Sequence, residues 1–186
     1  MKILISLTGA TGLIYGVRLM EVLNKTEHHV SLIMSRWAKE TLLIETDVTV
    51  DYVHALADQV YDNDDLAAAV SSGSYGIDAT IIAPCSMKTL AAIANGYSEK
   101  LIVRTADVAL KERRPLVLMP RETPLSLIHL RNMTTVTEAG GILLPPMPAF
   151  YHRPETIDDI VNQSIGKVLD FLKIPHNLFE RWRSDQ

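Results

Sequence analysis

Two short segments of this chain carry residues that can hold a phosphate or another anion. The first is Thr8-Gly9-Ala10-Thr11-Gly12, which directly follows a short apolar run. Glycines allow a close backbone approach to a phosphate, and a helix that begins after them presents unpaired N–H groups. The second is residues 84–89, where Ser86 is a candidate helix N-cap and Thr89 adds a hydroxyl one turn later. Together they predict an anion-binding cleft.

The glycine segment also resembles a nicotinamide-binding turn of short-chain dehydrogenases, and a reductase is therefore an alternative. Three features disfavour it. Glycines stand at 9, 12 and 16 rather than in a compact fingerprint, and Ser35-Arg36 follows the second apolar run where an acidic residue would hold a ribose. Tyr97 and Lys100 also lack the spacing of that family's catalytic pair.

Further candidates follow later apolar runs. Arg121 and Glu122 lie between two prolines, where an arginine suits a phosphate and a glutamate suits proton transfer, although a solvated ion pair is an equal alternative. Cys85 closes an apolar run with no histidine beside it, which favours a buried structural thiol. His152 could be a base, but the sequence supplies no partner for it.

Other charged groups favour structural roles. Lys111 ends a predicted helix, where a basic residue is favourable in any case. Residues 62–65, Asp-Asn-Asp-Asp, are more typical of a cap and a solvated turn than of a metal site. No Cys/His pair has zinc spacing, so we expect no metal held by the protein.

Strand and helix patterns alternate along the whole chain. This predicts one domain over residues 1–186, with a doubly wound, mostly parallel sheet in a three-layer α/β/α arrangement. Such sheets bind ligands at the carboxyl ends of their strands. The predicted strands are 2–7, 29–34, 59–61, 79–83, 116–119 and 142–144, and the predicted helices are 12–25, 36–45, 51–57, 65–70, 86–95, 101–113, 125–139 and one from Thr156 onward.

Composition limits the partners. A net charge of −4 and a pI near 5.8 give no basic surface for nucleic acid. A single cysteine fits a reducing compartment, so we expect a cytoplasmic protein, and no apolar stretch reaches the ~18 residues that a membrane span needs. An apolar content of 47% favours buried contacts between subunits.

Taken together, the segments resemble the flavin prenyltransferases of the UbiX type, formerly called aromatic acid or phenylacrylic acid decarboxylases. The similarity extends over nearly the whole chain, and it includes TGATGLIYGVRL, IETD, PCSMKTLA, ADVALKERRPLVL, PRETPL, LPPMPAFYHRP and LFERW. Flavin-dependent cysteine decarboxylases fit less well, because PCSMKT and PRETP replace their characteristic segments.

The resemblance implies a Rossmann-like flavoprotein that binds flavin mononucleotide (FMN). It implies transfer of a dimethylallyl group from dimethylallyl phosphate to N5 and C6 of reduced FMN, without a metal, which makes a fourth ring. A UbiD-type decarboxylase of aromatic or unsaturated acids would receive the product, in ubiquinone biosynthesis or phenolic acid metabolism. A homo-oligomer, commonly a dodecamer, is also implied. A flavin carrier for the same decarboxylase is the non-enzymatic alternative.

The resemblance also implies roles for individual residues. Flavin contacts correspond to Gly9, Ala10, Thr11, Ser35, Ser86, Met87, Lys88, Thr89 and Arg121. Catalytic groups correspond to Glu45, Lys111, Glu122 and Tyr151, and contacts to the substrate phosphate correspond to Lys111, Arg121, Tyr151 and Lys167. Trp182 is expected near the site. The C-terminal helix and tail, residues 156–186, are expected to pack on the site or on a neighbouring subunit.

Two residues depart from the family pattern. Thr11 replaces a frequent serine and keeps its hydroxyl. Lys167 replaces the usual arginine, so a planar, two-pronged grip on phosphate becomes a point charge. This change bears on the affinity for the prenyl phosphate and on which prenyl phosphate is preferred.

Overall fold

The computed structural model describes residues 1–182, and the last four residues of the predicted tail, 183–186, lie outside the described residues. A six-stranded sheet forms the centre, with every strand pairing parallel in the order β3-β2-β1-β4-β5-β6. The strands are β1 (Lys2–Leu7), β2 (His29–Met34), β3 (Gln59–Asp62), β4 (Ala79–Cys85), β5 (Leu116–Pro120) and β6 (Ile142–Leu143). The helices are α1 (Leu13–Leu23), α2 (Arg36–Glu45), α3 (Val50–Ala55), α4 (Met87–Ala94), α5 (Leu101–Lys111), α6 (Leu127–Glu138) and α7 (Ile157–Phe171).

Helices cover both faces of the sheet, which confirms the predicted three-layer architecture. Successive side chains of β1 alternate between two apolar cores, since Ile3 and Ile5 pack in one and Leu4 in the other. The first core contains residues of α1 and α7, and the second contains residues of α4, α5 and α6. This double burial explains why β4 reads as a continuous apolar run.

One predicted helix is wrong. Residues 65–70 form turns that lead into a short 3₁₀ segment, Ala69–Ser71. The Asp62 carboxylate accepts the N–H of Asp64, and the Asp65 carboxylate accepts the N–H of Ala67. These side chains satisfy the backbone locally, so they favour a turn over a helix.

The order of the strands creates a switch point between β1 and β4. Strand connections proceed in opposite directions from these two neighbours, and the loops at their carboxyl ends therefore separate and leave a crevice. The glycine segment follows β1, and Ser86 follows β4. The two anion-binding candidates therefore flank the position at which this fold binds ligands.

Candidate functional site

Thr8, which begins the glycine segment but is not among the predicted flavin contacts, joins the two loops at the switch point. Its buried hydroxyl donates to the Pro84 carbonyl at 2.8 Å and accepts the N–H of Ser86 at 2.7 Å. The Thr8 N–H also donates to the Pro84 carbonyl, at 3.2 Å. This network fixes the start of α4 relative to the glycine segment, next to the cis peptide bond between Ala83 and Pro84.

The beginnings of three helices meet at this crevice. Ser35 caps α2 by accepting the N–H of Ala38, and Ser86 caps α4 by accepting the N–H of Thr89. Asn63, after β3, caps α5 through its side-chain and backbone oxygens. First-turn N–H groups of a helix have no intrahelical acceptor, so the starts of α2 and α4 favour an anion.

A cleft of about 180 Å³ lies between these helix starts. Its lining combines hydroxyls, two lysines and two aromatic rings, from Thr8, Gly9, Ser35, Trp37, Asn63, Ser86, Lys88, Thr89, Ala92, Tyr97, Glu99, Lys100, Ile102 and Val103. Five of the predicted flavin contacts are thus brought together: Gly9, Ser35, Ser86, Lys88 and Thr89. The partly buried Met87 side chain instead packs against the second core and does not line the cleft.

Two aromatic residues of the cleft are absent from the predicted flavin contacts: the sequence analysis did not name Trp37, and it considered Tyr97 only for the reductase alternative. Trp37 is 65% exposed and Tyr97 is 63% exposed, although aromatic rings normally pack inside. A side chain at position 9 would overlap the Trp37 side chain, so Gly9 lets the backbone lie against this residue. Trp37 is the second residue of α2, two positions after the capping Ser35, and its place in the first turn of a predicted helix was the available signal.

The N-terminus of α1 differs from expectation. The Glu45 carboxylate accepts the N–H groups of Gly12 at 2.8 Å and Leu13 at 3.1 Å. These two groups are therefore not offered to a ligand, and the prediction of an open anion site at this helix start is wrong. Within residues 1–182 Glu45 forms no ion pair with a basic side chain. Ala10 and the exposed Thr11 lie on the same segment, between Gly9 and the helix.

Arg121 and Glu122 follow β5 and lie beside the start of α4, because the Arg121 N–H donates to the Cys85 carbonyl at 3.4 Å. Glu122 accepts only the N–H of Thr123, at 3.0 Å, and among the described residues it forms no ion pair with Arg121. Both charges are exposed and available to a ligand. Tyr15 lies near Arg121; burial raises the pKa of the Tyr15 hydroxyl, and the positive charge of Arg121 partly opposes this.

Lys111 is not brought to this site by its own chain. It ends α5, which runs antiparallel to the strands, so it lies at the amino edge of the sheet just before β5. The length of a strand, about 20 Å, separates the two edges. Lys111 forms an ion pair there with Glu112, which packs against Gly73. Lys111 therefore does not meet Arg121 within one subunit, and its role at the substrate phosphate stays a prediction.

Tyr151, Lys167 and Trp182 belong to a second group, formed by α7 and the segments that precede and follow it. The rings of Tyr151 and Trp182 meet edge-on with centroids 5.6 Å apart. The Lys167 ammonium lies 3.8 Å from the Asp170 carboxylate, to which Arg181 also binds. Hydrogen bonds from Arg181, with a smaller contribution from His176, hold the pKa of Asp170 below its ordinary value despite partial burial.

Two other candidates have structural environments. Cys85 is completely buried, and burial raises the pKa of its thiol to about 12, so it is a poor nucleophile. Both ring nitrogens of His152 are buried without a hydrogen-bond partner in the described chain.

No helix in residues 1–182 has the length and apolar character needed to cross a membrane.

Comparison with known proteins agrees with this geometry. The family model described as Flavoprotein matches residues 1–173. The chain is 52% identical over 186 residues to a flavin prenyltransferase UbiX from Thauera aromatica, covering 100% of this chain and 96% of the relative. A flavin prenyltransferase UbiX of Escherichia coli K12 is 49% identical over 185 residues, covering 98% of each chain.

Solved structures give the same result. AnUbiX (PadA1), crystallised with FMN and dimethylallyl pyrophosphate, has a TM-score of 0.97 and 50% identity, covering 98% of this chain and 97% of that one. A dodecameric FMN-dependent UbiX-like decarboxylase from Escherichia coli O157:H7 also has a TM-score of 0.97, with 48% identity, covering 99% and 100%. With a match over its full length in both sequence and structure, this chain belongs to the flavoprotein family and, within it, to the UbiX flavin prenyltransferases.

Proposed function

We propose that this protein transfers the dimethylallyl group of dimethylallyl phosphate to N5 and C6 of reduced FMN, and that a UbiD-type decarboxylase uses the product. The observation that carries the proposal is the full-length 52% identity to a UbiX flavin prenyltransferase. The cleft at the β1–β4 switch point supports it, because that is where doubly wound sheets bind nucleotides.

The lining of the cleft suits FMN. The starts of α2 and α4, together with Lys88, offer N–H groups and positive charge to a phosphate, while Trp37 and Tyr97 offer flat apolar surface to a ring system. When bound, the flavin supplies the nucleophilic N5 and C6 atoms. Gly9 borders the same cleft, and Ala10 and Thr11 continue the chain from it towards α1.

The remaining polar residues act on the prenyl phosphate. Cleavage of the allylic C–O bond leaves the electron pair on the phosphate oxygen, so cations that bind the phosphate stabilise the transition state. Arg121 and Lys167 supply positive charge, the Tyr151 hydroxyl donates a hydrogen bond, and Glu122 protonates the departing phosphate. Glu45 fixes the glycine segment by capping α1.

Lys111 can contribute only from another copy of the chain, because its own copy holds it at the opposite edge of the sheet. We infer a homo-oligomer, as in the dodecameric relative, in which subunits share these sites. Exposed apolar side chains on α6 fit this inference, since Leu127 and Ile128 are 61% and 68% exposed.

The proposal is tested by anaerobic incubation with reduced FMN and dimethylallyl phosphate, followed by mass spectrometry of the released flavin. A parallel reaction uses dimethylallyl diphosphate. A flavin heavier by one five-carbon prenyl unit is the expected result with at least one donor. Unmodified flavin that binds normally with either donor would contradict the transferase and favour a flavin carrier.

Glu122→Gln separates catalysis from binding. We expect it to slow prenylation while the affinity for FMN is unchanged, because Glu122 is assigned to the leaving phosphate. Equal losses of turnover and FMN affinity would remove Glu122 from that role.

The proposed recipient is tested by adding the released flavin to a UbiD-type enzyme that lacks its cofactor. Recovery of decarboxylation is the expected result.

A further inference from the structure

One carboxylate on α7 holds three basic side chains. Asp170 accepts hydrogen bonds from Arg181, at 3.1 Å from Nη1 and 2.6 Å from Nη2, and lies 3.2 Å from Nε2 of His176. The Lys167 ammonium lies 3.8 Å from the same group. Two of these partners belong to residues 172–182, here called the C-terminal segment, so Asp170 attaches this segment to α7.

The C-terminal segment is also packed closely against the helix. A side chain at position 166 would overlap the rings of Phe179 and His176, so Gly166 provides the space in which these rings lie. The His176 side chain is only 3% exposed. Leu172 and Ile174 are buried in the first core. The segment is therefore docked by apolar contacts as well as by charge.

The hydrogen bonds of His176 define its proton. Nδ1 of His176 accepts the N–H of Leu178 at 3.2 Å, so the ring proton is assigned to Nε2, which donates to Asp170. His176 thus donates to Asp170 through Nε2. Arg181 and Lys167 bring positive charge to the carboxylate, and both side chains are more than half exposed.

Arg181 is followed directly by Trp182, whose ring meets Tyr151 at 5.6 Å and 89°. We propose that Asp170 is a positioning residue for the prenyl-phosphate site: it fixes the C-terminal segment, sets Trp182 against Tyr151 and restrains Lys167. This inference rests on the proposed function for the roles of Tyr151 and Lys167. The positioning of Trp182 is independent of that function.

The test uses Asp170→Asn and Arg181→Gln, with Asp158→Asn as the matched control. Asp158 is an exposed aspartate at the start of the same helix. The chain has two tryptophans, so in a Trp37→Phe background Trp182 is the only tryptophan that emits. In this background we expect Asp170→Asn and Arg181→Gln to shift Trp182 emission to longer wavelength and to increase its quenching by iodide.

Kinetics are measured without the Trp37 change. Both test variants should raise KM for dimethylallyl phosphate by about 10-fold, as loss of a group that orients a ligand does, with no change in FMN affinity. Asp158→Asn should behave like the unchanged protein in both assays. Unchanged Trp182 emission in both test variants, or FMN affinity that falls together with the KM effect, would overturn the proposal.

The two proposals fail in different ways. If the unchanged protein transfers no prenyl group to FMN, the proposed function is wrong, whereas the emission of Trp182 still decides whether Asp170 positions it. If prenylation occurs but neither test variant alters KM, the function stands and the positioning role of Asp170 is wrong.

Discussion

Replacing Thr8 by valine tests whether a single hydroxyl organises the switch point. Valine has the shape of threonine, so the variant removes hydrogen bonds with little change in packing. The bond to the Pro84 carbonyl is lost, but this carbonyl still accepts the N–H of Thr8. Ser86 loses the acceptor of its N–H, which is the more costly loss.

The expected magnitude follows from that unpaired N–H. An unsatisfied donor of this kind costs about 1–3 kcal/mol of unfolding free energy. For a domain of this size each kcal/mol lowers Tm by roughly 2–4 °C, so the flavin-free Thr8→Val protein should melt roughly 2–12 °C lower. Ser86 begins α4, so a shift of this residue should also weaken FMN binding.

The assay compares Thr8→Val with Thr8→Ser by urea unfolding and by FMN titration. Serine keeps the hydroxyl but removes a buried methyl group, which costs about 1 kcal/mol. Both variants should lose stability, but only Thr8→Val should lose FMN affinity. Equal FMN affinities in the two variants, or a Thr8→Val protein as stable as the original, would refute the reasoning.

Three further predictions concern other contacts. Trp37→Ala should raise the Kd for FMN by roughly 2- to 12-fold, and Trp37→Phe is the control that keeps an aromatic ring. Equal FMN affinities of the two variants would exclude stacking of the flavin on residue 37. Gly16→Ala should lower the free energy of unfolding, measured in urea, by about 1–3 kcal/mol, because the new methyl group would overlap the Ala83 carbonyl. Gly73→Ala is the control, since its methyl group meets only the flexible end of Glu112. Equal stabilities of the two variants would contradict this prediction. The fold lowers the pKa of Asp170, so the stability contributed by this carboxylate is complete above its ordinary pKa near 4 and is lost as the pH falls through the lowered pKa. Between pH 5 and pH 2 the emission of Trp182 should therefore depend less on pH in Asp170→Asn than in the original protein. Identical titrations of the two proteins would contradict the assignment.

The sequence determined most of the architecture, because local patterns coincide with the final packing. The alternation of short apolar runs and amphipathic stretches gave the order of strands and helices, including the bounds of β1, β2 and α2. Residues 65–70 were the exception, since carboxylates that accept nearby N–H groups overrode an alanine-rich helical pattern. The loops at the carboxyl edge were also predictable, since a parallel sheet collects them on one side.

Only the tertiary structure decided which of the candidate residues meet. Position along the chain does not reveal that a helix returns Lys111 to the opposite edge, or that Glu45 occupies the start of a helix 33 residues away. Thr8 and Trp37 likewise gain their roles from long-range contacts with Ser86 and Gly9. Hydrogen bonds and close packing depend on three-dimensional distance, whereas sequence periodicity reports only the face of each element that is buried.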